Sequence, residues 1–361
     1  MKQAVTVNLK PPYDAILVAG EGKNSYKVYD QHKAFLRIQD KYVITRVVET
    51  LQATPSVRDI YLVGPRKTLL HHLEKDGVDL AHPKKIHILE QKKNLFENIW
   101  YSFLQTLPSP VKESQLEQSP YRNKAVLVVP CDSPLITPHE VEYFLQEADM
   151  EHYDHVLGLT PEESLEPFYP KDGQPGIQMA YLHMKEKRYR INNLHLVKPV
   201  QIKNRHLIQT MYRYRYQRNL FNVFLFTLKL IGKDKRNRWR YHIGLSLGLM
   251  ASWLKIPALI RFCRSLVPKK GLEQVISSIM ATRFVSLSTP FPGATLDIDN
   301  ARDFETIKQR FTEWQNYLQK LNETHPLPET SIREVPRERA PSKTTTTRPS
   351  PFTGMDRETV Q

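Results

Sequence analysis

Three groups of residues in this chain have the types and spacings that handle phosphate. The first is a short loop, Ala19-Gly20-Glu21-Gly22-Lys23, directly after the apolar run Ala15-Ile-Leu-Val18. Glycine can take positive φ and bring backbone N–H groups close to a phosphate oxygen. Lys23, Lys27 and Lys33 add positive charge around the same turn. The second group centres on Asp132, just past the strand-like run Ala125-Val-Leu-Val-Val129, within Pro130-Cys-Asp-Ser-Pro-Leu-Ile136. The third is the pair Asp297 and Asp299, ahead of a closing helical segment. A carboxylate at a strand end opposite a glycine-rich loop is well placed to hold a Mg²⁺ ion that also touches a triphosphate. Magnesium takes one or two protein carboxylates and completes its octahedron with water and phosphate oxygens. Asp299, with Asp297 as the second choice, would supply the other carboxylate. Plainer roles stay open for both: Asp132 as a cap of the next helix, and Asp299-Asn300 as a cap pair before a helix at 301. No Ser-His-Asp or Cys-His arrangement is readable, and His71-His72 reads as a surface pair.

The elements that must position these residues alternate in type. Residues 41–53 carry apolar positions at helical spacing, and Ile60–Val63 reads as a strand ending at Gly64-Pro65. A helix over 67–75, a strand over 86–89 and a helix over 94–107 follow, the last with Phe96, Ile99, Trp100 and Phe103 on one face. Residues 108–122 form a loop, and another helix starts after Thr137 or Pro138. This alternation predicts an α/β fold: a mostly parallel, Rossmann-like sheet with helices on both faces. Ligands of such sheets bind beyond the carboxyl ends of the strands, so the 20–33 loop and Asp132 should share one rim. The second half is less regular. Strands are expected over 155–159, 177–184 and about 189–199, a basic helical stretch over about 203–282, a strand over 283–288 and a final helix over about 301–322. The expected domain therefore spans 11–323 with a basic helical insertion, followed by a disordered tail over 324–361 where Pro, Thr, Ser and alternating charge replace apolar periodicity.

Composition narrows the class. With 361 residues, 40% hydrophobic and 25% charged, the chain has the balance of a soluble globular protein. Cys131 and Cys263 are far apart, so neither a disulfide framework nor a zinc site is readable. The first ten residues lack the apolar core and cleavage site of a signal peptide, and a cytoplasmic location is expected. The net charge of +14 is local: residues 200–270 hold sixteen Lys or Arg against one acid, Asp234. Such an excess calls for an anionic partner at that place. Two readings of the stretch compete. In one, its helices pack on the sheet and turn Arg213, Arg215 and Arg218 toward solvent or an anionic acceptor. In the other, 203–270 makes peripheral contact with an anionic membrane, with Trp239 and Trp253 at the interface. Its apolar runs are too short or too interrupted to span a bilayer. Tyr212-Arg-Tyr-Arg-Tyr216 interleaves as single-strand binders do, but no nucleic-acid module surrounds it, and nucleic acid is not the expected partner.

Taken in order, the strand and its Ala-Gly-Glu-Gly loop, Lys33-Ala-Phe-Leu, Pro130-Cys-Asp-Ser-Pro-Leu-Ile136 and Asp297-Ile-Asp-Asn-Ala-Arg-Asp-Phe304 resemble the MobA-like nucleotidyltransferases, which have a GT-A-type fold. The resemblance runs from about residue 13 to 322. It implies a Mg²⁺-dependent transfer of NMP from an NTP to a phosphorylated sugar, polyol or similar acceptor, with release of pyrophosphate. By the same resemblance, Ala19 to Lys23 wrap the nucleotide and Lys33 neutralises phosphate charge. Asp132 and Asp299 hold the metal, Gln91 and Asn98 lie on the base side, and Arg190 and Asn193 line the acceptor side. In one respect the chain departs from the pattern. The family loop commonly reads Leu-Ala-Gly-Gly-x-Gly-x-Arg, and here Asn24 stands in the place of the arginine. Lys23 or Lys27 is left to substitute, without the bidentate fork of a guanidinium. Two other classes stay in view. A GT-A glycosyltransferase would use a nucleotide-sugar and carry Asp-x-Asp where this chain has Asp132-Ser-Pro134. A non-catalytic nucleotide-binding or membrane-peripheral protein would keep the fold without turnover.

Overall fold

The computed structural model describes residues 11–21, 27–80, 83–205 and 268–328. Its centre is a mixed sheet. β1 (Tyr13–Val18) lies between β6 (Val57–Gly64) and β8 (Val126–Pro130), parallel to both, and β7 (Ile86–Glu90) extends the parallel set beyond β6. On the other side, β11 (Arg188–Val197) runs antiparallel to β8 and to β9 (His155–Pro161), and β12 (Phe284–Ser288) closes the edge parallel to β9. The order is thus β12-β9-β11-β8-β1-β6-β7, with the two-residue strand β10 (Leu182–His183) paired to the start of β11. Two small antiparallel pairs, β2 (Lys27–Val28) with β3 (Gln31–His32) and β4 (Arg37–Ile38) with β5 (Lys41–Tyr42), stand outside this sheet. The predicted α/β, mostly parallel architecture is what the chain forms.

The near-continuous apolar runs of β1, β6 and β8 follow from burial on both faces. Ala15 and Leu17 of β1 face one core with Val47, Val48 and Leu51 of α1 (Val43–Ala53) and with Phe144 and Leu145 of α4 (Pro138–Glu147). Ile16, between them, faces a second core with Val63, Val128 and Phe103 of α3 (Leu95–Gln105). Helix α2 (Arg66–Lys75) adds Leu69 and Leu73 to the first core, and α5 (Lys269–Met280) gives Met280 to the second. Helix α1 is rich in β-branched residues, so its stability comes mostly from this burial. Each fully buried aliphatic side chain is worth about 1.5–3 kcal/mol.

A third core matters for function. Helix α6 (Ala301–Thr324) buries Phe304, Ile307, Phe311 and Trp314 against Leu36, Ile38, Leu135, Leu296 and Ile298. It thereby ties together the chain after Lys33, the loop after Asp132 and the segment that carries Asp297 and Asp299. At the opposite rim, ion pairs join the strand beginnings and the end of the antiparallel β11: Asp14 with Arg58 and Lys124, and Asp154 with Arg283 and with Lys198, just past β11. Burial alone would push the Asp14 carboxyl up, but these partners outweigh it and hold it below the usual carboxylate range.

Several expectations change in detail. In place of a strand over 177–184 only Leu182–His183 pairs. Before it the chain doubles back tightly, with the Ile177 N–H donating to the Phe168 carbonyl, and an added Cβ at Gly176 would sit 2.2 Å from the Tyr169–Pro170 backbone. The 108–122 loop contains two 3-10 segments, Glu113–Gln118 and Pro120–Asn123. The final helix reaches Thr324, the first residue of the expected tail. His72 is not a free surface residue, since its ring stacks on Tyr42 with centroids 4.2 Å apart. Most of the basic stretch, residues 206–267, and the tail from 329 onward lie outside the described residues. Among the described residues, no helix is long and apolar enough to cross a membrane.

Candidate active site

The loop after β1 is built around close approach. The Ala19 N–H extends the strand pairing by donating to the Val63 carbonyl at 2.8 Å, and the chain then leaves the sheet. Gly20 is needed here for space: an added Cβ would lie 2.5 Å from Asn98 Nδ2. The described glycines with positive φ are Gly77 and Gly173, so the conformational reason expected for Gly20 does not apply. Asn98 is buried in the first turns of α3, where its Oδ1 accepts from the Lys92 N–H at 2.5 Å. Gln91, just past β7, grips Glu21 at both ends of its amide. Its Oε1 accepts from the Glu21 N–H at 2.6 Å and its Nε2 donates to the Glu21 carbonyl at 3.3 Å. Gln91 and Asn98 therefore form the floor of the loop rather than projecting free toward a base. Gly22 and Lys23 lie outside the described residues.

The charged centre lies beside this loop. Lys33 opens a 3-10 turn (Lys33–Phe35), and its Nζ stands 3.3 Å from Asp132 Oδ2 and 3.5 Å from Asp299 Oδ1. Across the same cluster, Arg190 near the start of β11 places an Nη 2.8 Å from Asp297 Oδ1 and 3.8 Å from Asp299 Oδ2. Because β11 runs against its neighbours, its first residues reach the rim where β8 ends. Asp297 is buried and committed to Arg190, while the Asp299 side chain is 57% exposed. Asp132 and Asp299 are thus the carboxylates that face one another across Lys33.

Local capping removes the plainer roles. The cap of α4 is Thr137, which accepts from the Glu140 N–H at 3.1 Å, so Asp132 is not a helix cap. The cap of α6 is Asn300, accepting from the Asp303 N–H at 3.0 Å, which leaves the Asp299 carboxylate facing Lys33. The two acidic segments are also joined through the backbone, with the Ile298 N–H donating to the Asp132 carbonyl at 3.0 Å.

The peptide of Ala294 is a junction behind the charged centre. Its carbonyl accepts from Ser133 Oγ at 3.2 Å and from Asn193 Nδ2 at 3.4 Å. Asn193 sits at φ 62 inside a bulge of β11, a left-handed position that Asn tolerates better than most residues. Its amide thus supports the 293–295 turn, where the sequence reading put it on the acceptor side. The Ala294 N–H donates to the fully buried Glu140 carboxylate at 3.0 Å, and an added Cβ on Gly293 would come 2.5 Å from the same oxygen. Ser133 and Glu140 were not singled out from sequence. The signal for Glu140 was present as Thr137-Pro-His-Glu140, the pattern of a capping box.

Electrostatics follow from this crowding. Burial pushes the Asp132 carboxyl up to about 6; Lys33 opposes that, and the Asp297 and Asp299 charges add to it. Burial tends to lower Lys33, but Asp132, Asp299 and Asp297 outweigh it and hold its ammonium above the ordinary lysine value. Burial drives Glu140 up to about 8 against its backbone N–H donors. Among the described residues, no group of three or more His, Cys, Asp and Glu forms a metal cage. Two facing carboxylates are still the donor set that suits magnesium, which relies on substrate phosphates for the remainder.

Residues 15–191 match the MobA-like NTP transferase domain. That stretch belongs to the family, and the chain carries a nucleotidyltransferase domain. No curated protein matches the sequence. Among solved structures, the chain is similar to a hypothetical transferase from Thermus thermophilus, with 18% identity and a TM-score of 0.49 over 81% of this chain and 99% of the other. It is also similar to CMP:2-keto-3-deoxy-manno-octonic acid synthetase complexed with CTP, with 10% identity and a TM-score of 0.42 over 84% and 99%. A third is 4-diphosphocytidyl-2C-methyl-D-erythritol synthase from Anaerococcus prevotii, with 11% identity and a TM-score of 0.38 over 86% and 96%. These likenesses are loose, and the family match carries the assignment.

Proposed function

We propose that this chain is a Mg²⁺-dependent nucleotidyltransferase that moves NMP from an NTP to an anionic, phosphorylated acceptor such as a sugar or polyol phosphate. The observation that carries the reading is Lys33 set between Asp132 and Asp299 at the carboxyl rim of the parallel strands, next to the Gly20 loop. A phosphate oxygen of the acceptor attacks the α-phosphorus. The bond from that phosphorus to the bridging oxygen breaks, and the electron pair leaves with pyrophosphate. Such a step needs positioning and charge neutralisation more than a protein nucleophile. Asp132 and Asp299 would hold the metal, which supplies Lewis-acid charge at the phosphates. Ala19 to Lys23 offer backbone N–H groups to the nucleotide, and Lys33 supplies a point charge to its phosphates. Gln91 and Asn98 keep the loop in the receiving shape. Arg190 orients the acceptor phosphate from β11, with Asn193 supporting the turn behind it. The domain spans 11–323, and the basic stretch over 203–270 adds an attractive field for an anionic acceptor.

The test is a thermal-shift screen against ATP, GTP, CTP, UTP and dTTP with and without Mg²⁺, followed by pyrophosphate release with candidate acceptor phosphates. A ligand at a hundred times its Kd stabilises the native state by about 2.7 kcal/mol, well above the noise of a melting curve. A metal-dependent shift with one NTP supports the reading and names the base. A shift with nucleotide-sugars alone points instead to a glycosyltransferase, and no shift with either points to a non-catalytic protein.

A further inference from the structure

Beyond Arg190 the rim carries a second set of polar side chains that nothing in the transfer chemistry above uses. On one edge of β11, Arg190 pairs with Thr160 and Tyr189 with Pro161, so Arg188 and Glu162 come next. Alternate residues of a strand share a face. Arg188 therefore stands on the side where Arg190 meets Asp297, about 7 Å further along the strand. There its Nε pairs with the Glu162 carboxylate. On the other edge, which β8 occupies lower down, β10 pairs Leu182 with Tyr189 and His183 with Arg188. That register puts Tyr181 at the level of Arg190, and the Arg188 guanidinium lies 5.9 Å from the centre of the Tyr181 ring. Tyr169, brought round by the reversal at Gly176, completes the cluster. Its hydroxyl donates to Glu162 Oε1 at 3.2 Å and also hydrogen-bonds the Tyr181 hydroxyl.

The order of donors in this cluster follows from proton counting. A phenol has one proton, and Tyr169 gives its own to Glu162, so Tyr181 is the donor between the two tyrosines. The Tyr181 oxygen then keeps lone pairs for a ligand. Burial raises both phenols above the ordinary tyrosine value, so both stay protonated at neutral pH. The Arg188 side chain is 45% exposed, and pairing at Nε leaves its terminal N–H groups as donors. A donor beside an acceptor matches a hydroxyl group, which accepts and donates at one oxygen. An alkyl group can do neither, and an ionised phosphate or carboxylate has no proton to give Tyr181. We propose that Arg188 and Tyr181 form a specificity subsite that reads a hydroxyl of the acceptor, about 7 Å from the phosphate that Arg190 orients. Glu162 and Tyr169 fix the two readers from behind. This rests on the transferase reading and narrows its acceptor to a hydroxylated phosphate ester, against one whose body is hydrocarbon.

The experiment measures pyrophosphate release by the full chain with Mg²⁺, the NTP it binds and four probes: ribitol 5-phosphate, glucose 1-phosphate, butyl phosphate and isopentenyl phosphate. Wild type should use ribitol 5-phosphate or glucose 1-phosphate with a kcat/KM at least about tenfold above either probe without hydroxyls. The better of the two hydroxylated probes separates an open-chain acceptor from a ring. Tyr181→Phe and Arg188→Leu should each cut that preference about tenfold, with NTP affinity within about twofold of wild type. Tyr169→Phe removes more hydrogen bonds but leaves the Tyr181 oxygen in place, so it should hold the preference within about threefold. A loss in Tyr169→Phe as large as in Tyr181→Phe would mean a merely structural role and overturns the proposal. It is also overturned by an unchanged preference in Tyr181→Phe or Arg188→Leu, or by wild type using butyl phosphate as well as the hydroxylated probes. NTP binding without turnover of either hydroxylated probe overturns the subsite alone. If wild type neither binds an NTP with Mg²⁺ nor releases pyrophosphate with any probe, the transferase reading falls and takes the subsite with it.

Discussion

The two halves of the sheet build the site by different means. On the parallel side, β1, β6, β7 and β8 present short loops whose shape is set by close contacts: Gly20 over Asn98, and Glu21 held by Gln91. On the mixed side, β11 and the segment after β12 present charges whose positions are set by pairing over long sequence separations. Arg190 meets Asp297, and Ala294 is held by Ser133, Asn193 and Glu140. On the proposed reading, the first half would serve as a mould for the nucleotide and the second as an electrostatic frame around the acceptor. Substitutions in the mould should therefore change nucleotide affinity, and substitutions in the frame should change acceptor use.

The largest expected effect lies where the halves meet. Asp132→Asn keeps the volume and removes the charge, and pyrophosphate release with Mg²⁺ should fall by on the order of a hundredfold or more. Full activity in that variant would move the centre away from Lys33 and Asp299. In wild type, metal-dependent NTP binding should weaken as pH falls through about 6, where the Asp132 carboxyl gains its proton. Isothermal titration with Mn²⁺ across that range measures it, and a flat profile would contradict the assignment.

Within the mould, Gly20→Ala should weaken NTP binding by roughly tenfold, because the new methyl must displace a buried Asn98 amide. Adding Asn98→Ala should recover part of the loss, and a double-mutant cycle with no coupling would dismiss the contact. Within the frame, Arg190→Lys should raise the acceptor KM by about tenfold while NTP affinity stays within about twofold, since an ammonium lacks the guanidinium fork. Equal losses for both substrates would erase the division between the halves.

The smallest effect on turnover is expected behind the frame. Glu140 is raised by burial from 4.5 to about 8, so the folded chain binds its proton more tightly than the unfolded chain does. Its contribution to stability is complete below about 4.5 and is lost as pH rises toward 8. Urea midpoints of wild type should decline across this window, and those of Glu140→Gln should decline less. Parallel slopes for the two proteins would show that the carboxyl is ionised throughout.

The contrast between the halves also explains what was legible in the sequence. Lys33, Asp132 and Asp299 could be found because each follows a strand or precedes a helix whose periodicity is local. Helices over 43–53, 66–75, 95–105 and 138–147 and the strands between them fall where apolar spacing predicts. The reversal of β11 is not written in its own residues, since its alternation of buried and partly exposed positions fits a strand of either direction. The commitment of Asp297 to Arg190 spans 107 residues of sequence, and no local pattern distinguishes Asp297 from Asp299. Gly20 was recognised for the wrong property, because close packing by Asn98 is a tertiary fact.

The place of Asp299 in chain order has a consequence for synthesis. The nucleotide mould, Lys33 and Asp132 are complete once β8 and α4 have formed, but Asp297 and Asp299 are translated more than a hundred residues later, beyond β12, and α6 then locks their segment onto the core around Leu36 and Leu135. A nascent chain that has emerged only through β11 leaves Arg190 without Asp297 and Lys33 with one carboxylate instead of two. The ribosome thus delivers the second carboxylate beside Lys33 last, and on the proposed reading transfer would begin only once the C-terminal helix docks.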